Sequence, residues 1–483
     1  MKATIYSIKH KGWAIAFLPF CLFTFLLLTG CDDKLDITPK GKTILNKIGE
    51  VEEILNNNWN FGEVNNLCLV VDECYPSSAV PTVLTQTNTL DYALLTYNES
   101  MDRANLTASD DIYTNGYNIV YNANTILAKA DDTEDGDEAT RSLVKAEAHI
   151  LRAYAHYLLV NIYAAQYDAK TAANTPGIPY VKDIDPTDGN NKKETVQQVY
   201  DDILADLDDS YIDALPDQAN VLRGDQAWGN AVKAKVLMQM KEYDKALPYA
   251  LKALQYNGNI DDRTPIMESN EWELDEKNAS NIMYMGAGMT YPWSEKLTTE
   301  AVSKFEDGDI ILNYAESWGD PLWDVNYGQR LSGVKGSLYC GSFDLYWNSW
   351  GITSDRMYYV AAECYIRTGE IQKGLDLVNQ VRKYRIDPDK YTDFTASTEK
   401  EAMTLLQKAK FIECLATYEN FFDRKRWNSE DDYKETITRD MELVQSGEHV
   451  SYSIAPDSKL WIFPFPADAT RHNPNLTQNY DEN

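Results

Sequence analysis

The sequence is poor in positive charge, in histidine and in paired cysteine motifs. It has 45 Lys and Arg against 75 Asp and Glu, a formal net charge of −30, and only 5 histidines. Nucleic-acid binding needs basic patches that neutralise phosphates, so this composition argues against a nucleic-acid partner. The 7 cysteines include no Cys-x-x-Cys pair. Their odd number argues against a full disulfide framework, although Cys68 and Cys74 are close enough in sequence to pair.

Long apolar runs are also absent, apart from one near the N-terminus. The run from Trp13 to Leu28 follows three lysines and contains Pro19, and it is shorter than the roughly 20 residues of a membrane-spanning helix. Leu-Thr-Gly-Cys then ends at Cys31 and fits the lipobox of bacterial lipoproteins, in which the cysteine thiol is acylated. We therefore predict a signal peptide over residues 1–30, lipidation of Cys31 and a tether over residues 31–44. The alternative is a buried apolar helix with a chance cysteine.

The remaining chain shows helical periodicity interrupted by one long irregular stretch. Apolar residues recur at helical spacing in "KAEAHILRAYAHYLLVNIYAAQY" and "TVQQVYDDILADLDDSY". Two further stretches each read as a pair of helices with small residues at the crossing, turning near Glu242-Tyr243 and Thr368-Gly369. We predict an all-α fold, a tetratricopeptide-like helical-hairpin scaffold with long irregular loops. It divides into an N-terminal helical region (45–257) and a C-terminal region with an aromatic loop insertion (258–483).

The aromatic loop insertion is the first candidate binding surface. Flat aromatic rings can stack on the apolar face of a sugar, and neighbouring Asn, Asp, Gln or Arg can bind its hydroxyl groups. Such residues alternate in "TYPWSEK", "AESWGDPLWDVNYGQR" and "FDLYWNSWG". A single tryptophan in a loop is more often packed into the core, but a cluster between rigid helices favours ligand binding. The predicted ligand-binding residues are Trp293, Trp318, Trp323, Tyr327, Tyr346, Trp347 and Trp350.

Motifs spread along the whole chain resemble the SusD/RagB family of surface lipoproteins from Gram-negative glycan-uptake systems. They are "CDDKLDITPKG", "YNIVYNANTIL", "AEAHILRAYAHYLLVNIYA", "YENFFDRKRW" and "FPFPADATRHNPNLTQN", in the order of the family. The chain departs from the family pattern at Tyr113, at Glu413-Cys414-Leu415 and at Asn420. The resemblance implies a tetratricopeptide-like scaffold, lipid anchorage at the outer membrane and docking on a TonB-dependent (SusC-like) transporter.

The resemblance also bears on individual residues. In the family, loops after the first helix contribute to the ligand face, so Asp72 and Tyr75 are further candidates for ligand binding. The positions that match the family best are expected instead to hold helices together through paired charges; they are Glu147, Arg152, Asp423, Arg424, Arg426 and Trp427.

Motifs for catalysis or metal binding find little support. Zinc-protease spacing, Walker loops and Gly-x-Ser-x-Gly are not apparent. His149 and His156 lie seven residues apart on one predicted helix, too far apart to share a metal. "DDTEDGDEATRS" begins like a calcium loop, but Ser142 stands where a bidentate glutamate is needed, which favours an acidic loop between helices. We therefore predict no enzyme activity, no metal site and no cofactor.

These observations predict a glycan-binding lipoprotein of the outer membrane. It would capture oligo- or polysaccharide on an aromatic surface and deliver it to a TonB-dependent transporter. One alternative is a peptide-binding or lid-only member of the same family. A remote alternative is a lipoprotein hydrolase held at the inner membrane, which Asp32 after the lipidated cysteine would favour.

Overall fold

The computed structural model describes residues 45–185, 191–265, 278–286, 296–312, 325–339 and 348–480. Lys47–Asn483 forms one compact unit. The predicted signal peptide, Cys31 and the tether up to residue 44 lie outside the described residues. No described helix is both long enough and apolar enough to cross a membrane.

Helices make up most of the described chain. Their bounds are α1 Ile48–Glu52, α2 Asn65–Val70, α3 Val80–Thr85, α4 Leu90–Leu95, α5 Arg103–Leu106, α6 Asp111–Lys129, α7 Glu138–Tyr163, α8 Val196–Asp206, α9 Asp209–Asp213, α10 Gln226–Gln239, α11 Tyr243–Tyr256, α12 Thr299–Ser303, α13 Val325–Ser332, α14 Ser354–Arg367, α15 Ile371–Arg382, α16 Glu399–Glu413, α17 Glu419–Trp427 and α18 Ala467–His472. Short 3₁₀ turns span Glu53–Leu55, Ala130–Asp132 and Lys459–Trp461.

The strands are short and form three small sheets. Their bounds are β1 Cys74–Tyr75, β2 Asn281–Met283, β3 Lys296–Leu297, β4 Leu338–Tyr339, β5 Ile352–Thr353, β6 Ile437–Glu442 and β7 His449–Ile454. The sheets are β1-β3-β4, β2-β5 and the hairpin β6-β7, and all their pairings are antiparallel. The prediction of a mostly helical scaffold is confirmed.

Local sequence signals explain where the main helices begin. The side chain of Asp137 accepts a hydrogen bond from the Thr140 amide at the start of α7. Thr195 forms a reciprocal capping box with Gln198 at the start of α8. Such caps satisfy amide groups that have no partner inside the helix, and each stabilises a helix by about 1 kcal/mol.

Both predicted hairpins are present. α10 and α11 pack on each other, α14 and α15 do the same, and α11 also packs on α14. The turn between α14 and α15 contains Gly369 at a φ of +91°, a conformation that favours glycine. Stacking of successive hairpins buries apolar faces that one pair would leave exposed.

Buried ion pairs connect helices at the positions where the sequence predicted them. Glu147 on α7 accepts from Arg223 at 2.8 Å, and Arg152 pairs with Asp206 on α8 at 2.7 Å. On α17, Arg426 pairs with Glu363 of α14 at 2.6 Å. The expectation that these residues hold helices together is confirmed for Arg152, Asp423, Arg426 and Trp427. Glu147 and Arg424 instead pair with loop residues, Arg223 and Glu435.

Candidate functional site

The β1-β3-β4 sheet and α13 form the framework of the candidate site. α13 lies directly on β4 because residue 328 is glycine: a Cβ there would be 2.3 Å from the backbone nitrogen of Tyr339. Tyr327 on the same helix is half-buried and makes an edge-to-face contact with the buried ring of Tyr339, with centroids 5.1 Å apart. The helix is thus fixed to the strand by one close backbone approach and one aromatic contact.

The ends of the aromatic-rich stretches meet at this sheet. Lys296, which begins β3, is the register partner of Tyr339, which ends β4. The stretch 287–295 therefore ends beside the point where the stretch 340–347 begins. The stretch 313–324 ends where α13 begins, close to the contact between Tyr327 and Tyr339.

The opposite ends of two of these stretches are also held together. The Asn348 side-chain oxygen accepts from the Met285 amide at 2.8 Å, and its amide nitrogen donates to the Met283 carbonyl at 2.9 Å. The Trp350 amide donates to the Met285 carbonyl at 3.1 Å. The described residues that flank the stretches 287–295 and 340–347 therefore lie side by side at both ends.

Two cations in this region have different environments. Lys296 is buried, its Nζ donates to the Ser77 carbonyl at 2.7 Å, and burial lowers its pKa to about 8. Arg330, in the last turn of α13, is exposed, and its guanidinium carbon lies 4.6 Å from the centroid of the Tyr327 ring. Of these two cations, only Arg330 is accessible from solvent.

Two family models match this chain. One, described as starch-binding and associating with the outer membrane, matches residues 36–235, and the model of the SusD family matches residues 354–481. Together they cover about two thirds of the chain. The chain belongs to the SusD/RagB family.

Solved structures with the same fold support this assignment. A SusD superfamily protein from Bacteroides thetaiotaomicron has a TM-score of 0.67 at 16% identity, over 90% of this chain and 100% of its own. A SusD-like carbohydrate-binding protein from Bacteroides vulgatus has a TM-score of 0.60 at 16% identity, over 90% and 98%. A SusD superfamily protein from Bacteroides fragilis has a TM-score of 0.60 at 19% identity, over 90% and 100%. A comparison with curated protein sequences finds no match.

The SusD family models leave the candidate site uncovered. The sheet strands β3 and β4, helix α13 and the aromatic-rich stretches all lie between residues 235 and 354, outside both matched ranges. The family models therefore match much of the helical scaffold and do not extend over the candidate site.

The prediction that Trp350 binds ligand is corrected by its burial. The side chain is fully buried; its indole N–H donates to the Gly62 carbonyl at 2.6 Å, and its ring stacks on Tyr418 with centroids 5.8 Å apart. An indole enclosed in this way cannot present a face to a ligand. The residue packs the core beneath the candidate site.

Asp72 and Tyr75 are corrected for the same reason. Asp72 is 1% exposed, and its carboxylate accepts from the Arg439 guanidinium at 2.6 Å. The Arg439 guanidinium also donates to the carbonyl groups of Leu69 and Leu95, so the aspartate closes a buried network. Tyr75 is 2% exposed in the central region of the fold. Both residues support the sheet from inside and do not face solvent.

The other predicted residues have different outcomes. Tyr327 lies at the candidate site and is partly accessible. The rest of the predicted set lies outside the described residues and stays a prediction: Trp293, Trp318, Trp323, Tyr346 and Trp347. Tyr339 was missed by sequence reasoning, because a strand of two residues leaves no alternating pattern to detect.

The histidines and cysteines have structural partners. His149 Nδ1 lies 2.8 Å from the Asp206 carboxylate, and the His149 ring stacks on Tyr211 with centroids 4.1 Å apart. His156 is fully buried, and burial lowers its pKa to about 3. Cys68 and Cys74 are buried free thiols. Within the described residues, no group of three or more His, Cys, Asp or Glu side chains is arranged to hold a metal ion.

Proposed function

We propose that this protein is a lipid-anchored glycan-binding protein of the outer membrane. It captures oligo- or polysaccharide on an aromatic surface at the β1-β3-β4 sheet and passes the glycan to a TonB-dependent transporter. Binding is its whole function in this proposal, with no chemical step and no cofactor. Structural relatives are described as carbohydrate-binding proteins, and the family is described as starch-binding and associated with the outer membrane.

One observation carries the glycan-binding proposal: the aromatic-rich stretches have their ends at one place in the fold. Lys296 and Tyr339 are paired across β3 and β4, and α13 begins close by, with Tyr327 against Tyr339. A stretch of nine residues spans at most about 30 Å when fully extended. The described residues that flank these stretches therefore lie in one neighbourhood, which supports the proposal that the predicted aromatic residues act together.

Aromatic stacking suits a protein that must release its ligand. Rigid rings lose little side-chain entropy on binding, and a moderate affinity, about micromolar or −8 kcal/mol, keeps release fast. Neighbouring polar groups can bind the sugar hydroxyls. Asn326 and Gln329 are present on α13, one turn apart, with a hydrogen bond of 3.2 Å between their side chains.

The binding proposal is tested with soluble protein comprising residues 32–483, which contains the whole compact unit. Neutral and acidic polysaccharides are compared by affinity electrophoresis and by intrinsic tryptophan fluorescence. We expect saturable binding that Tyr327→Ala, Trp323→Ala and Trp347→Ala weaken by about tenfold or more. Tyr121→Ala is the matched control, because Tyr121 is a 49% exposed tyrosine on α6.

The outcome also separates the main alternative. Saturable binding of peptides with no binding of any polysaccharide would replace the glycan proposal by peptide capture. Loss of binding in Tyr121→Ala equal to that in Tyr327→Ala would move the binding surface away from α13.

The anchoring and transfer proposals need cells. Metabolic labelling with a palmitate analogue should mark the wild-type protein and not Cys31→Ser. Protease treatment of whole cells should degrade a protein at the outer surface, and a fully protected protein would contradict exposure to the exterior. Affinity purification from detergent-solubilised outer membranes should recover a TonB-dependent transporter; recovery of the protein without one would count against the transfer role.

A further inference from the structure

Within the part of the chain that the structure describes, Arg330 differs from the other arginines in its hydrogen bonding. Each of the others donates to a carboxylate or to backbone carbonyl groups within the protein; for example, Arg103 donates to the carbonyls of Lys459 and Ile462. Arg471, which is also exposed, pairs with Asp468 at 3.1 Å. Among the described residues, no carboxylate lies within ion-pairing distance of the Arg330 guanidinium, which lies over the Tyr327 ring.

This lack of a carboxylate partner sets Arg330 apart from the other arginines. Acidic residues outnumber basic ones by 75 to 45, so the protein surface is acidic overall. Lys335, only five residues further along, pairs with Glu442 at 3.1 Å. Among the described residues, the Arg330 guanidinium is therefore a cation without a carboxylate partner, and so a local positive site.

The position of Arg330 is fixed by the packing beneath it. The guanidinium lies over Tyr327, Tyr327 contacts the buried Tyr339, and Gly328 seats the helix on β4. Contact with an aromatic ring restrains a guanidinium, and a guanidinium in such a contact can still donate hydrogen bonds in its own plane. Five donors in a rigid planar fork match the two oxygens of a carboxylate.

We propose that Arg330 is a subsite for the carboxylate of a uronic acid, so that the glycan bound by this protein is an acidic oligosaccharide. This inference rests on the proposed glycan-binding function. Tyr327 holds the guanidinium in place through the ring contact at 4.6 Å, and Arg330 receives the carboxylate of a sugar bound at the same surface. The net charge of −30 opposes a densely sulfated chain, and one unpaired arginine matches one carboxylate on an otherwise neutral glycan.

The test compares each acidic glycan with its own neutral form. Glucuronoxylan oligosaccharides, which carry isolated uronic acids on a neutral backbone, are titrated into residues 32–483 by calorimetry, before and after reduction of their carboxyl groups to alcohols. The densely charged oligosaccharides of pectin and alginate are titrated for comparison. We expect at least one acidic form to bind about ten to a hundred times more tightly than its reduced form. Arg330→Gln should remove this preference while keeping the affinity for the reduced form. Because the interaction is exposed, the preference should also fall as the salt concentration rises.

Matched variants separate ligand binding from helix stability. A cation in the last turn of a helix also interacts favourably with the helix dipole, so the melting temperature of each variant is measured as well. Arg330→Lys keeps the charge and should retain part of the preference for the acidic form. Lys335→Gln, which removes a paired cation from the same segment, should leave the preference unchanged.

Other results overturn the inference in distinguishable ways. Equal affinity for acidic and reduced glycans in the wild type leaves the glycan-binding function standing and removes the uronate subsite. If Arg330→Gln lowers the affinity for the acidic and the reduced glycan equally, the arginine contributes to packing and not to recognition of a carboxylate. Binding of carboxylate-bearing peptides without binding of any glycan overturns both proposals.

Discussion

Asp206→Asn is the sharpest test of how the helical scaffold is held together. The Asp206 carboxylate, on α8, accepts two hydrogen bonds of 2.7 Å from the guanidinium of Arg152 on α7. It also contacts His149 at 2.8 Å and accepts from the Tyr180 hydroxyl. Asparagine keeps the size of the side chain but has only one acceptor oxygen. Its NH₂ group would face an N–H donor, such as the Arg152 guanidinium.

The expected loss follows from the burial of the pair. The side chains of Arg152 and Asp206 are only 8% and 7% exposed, so the substitution leaves a buried guanidinium without its counter-charge. Removing one partner of such a pair costs about 3–5 kcal/mol. With an unfolding entropy of about 2.1 cal/mol/K per residue, a unit of this size should melt about 3–6 °C lower.

The pH dependence provides an independent check. Hydrogen bonds from Arg152 and His149 hold the pKa of Asp206 below its usual range, although burial by itself raises it. A carboxyl group with a depressed folded-state pKa stabilises the protein above its unfolded pKa of about 3.9 and loses that contribution as the pH falls. The difference in melting temperature between wild type and Asp206→Asn should therefore be full at pH 7 and shrink below about pH 4.

Differential scanning calorimetry across this pH range measures the effect. Asp209→Asn is the matched control, because Asp209 is 60% exposed and pairs with Lys233 at 2.6 Å; an exposed pair contributes about 0–1 kcal/mol. The reasoning would be refuted if Asp206→Asn lowered the melting temperature no more than the control does. It would also be refuted if the decrease were the same at pH 3 as at pH 7.

Three further substitutions test the corrected and proposed roles. Trp350→Phe loses the indole hydrogen bond to Gly62, so the free energy of unfolding in urea should fall by about 1–3 kcal/mol. Calorimetry should show an unchanged glycan affinity. Weaker glycan binding by a folded variant would show that Trp350 belongs to the binding site. Gly328→Ala brings a Cβ to 2.3 Å from the Tyr339 nitrogen, so glycan affinity should fall because α13 moves off β4; unchanged affinity would contradict this packing. Burial lowers the pKa of Lys425 to about 7, below its value in the unfolded chain, so the wild-type protein should become more stable between about pH 7 and 10. Lys425→Met should remove this rise in the melting temperature. If the rise persists in Lys425→Met, other groups cause it.

Several features of the fold could be predicted from the sequence because their causes are local. The hairpins α10–α11 and α14–α15 were predicted from apolar periodicity and small residues within single stretches of about 30 residues. Charged residues that match the family motifs were predicted to form ion pairs, and Arg426 does pair with Glu363. Buried charges in helical proteins need such partners, which makes this inference general.

The sequence by itself determined the helical scaffold, the acidic character and the enrichment of one region in aromatic residues, because each depends on residue type or on spacing along one segment. Tertiary structure decided which side chains reach the surface. Trp350 and Tyr327 have the same kind of local sequence, yet Trp350 is enclosed by Phe61 and Tyr418 while Tyr327 is half-buried beside Arg330. The contacts that separate them come from residues tens to hundreds of positions away, and a pattern of residues along the chain does not record such distances.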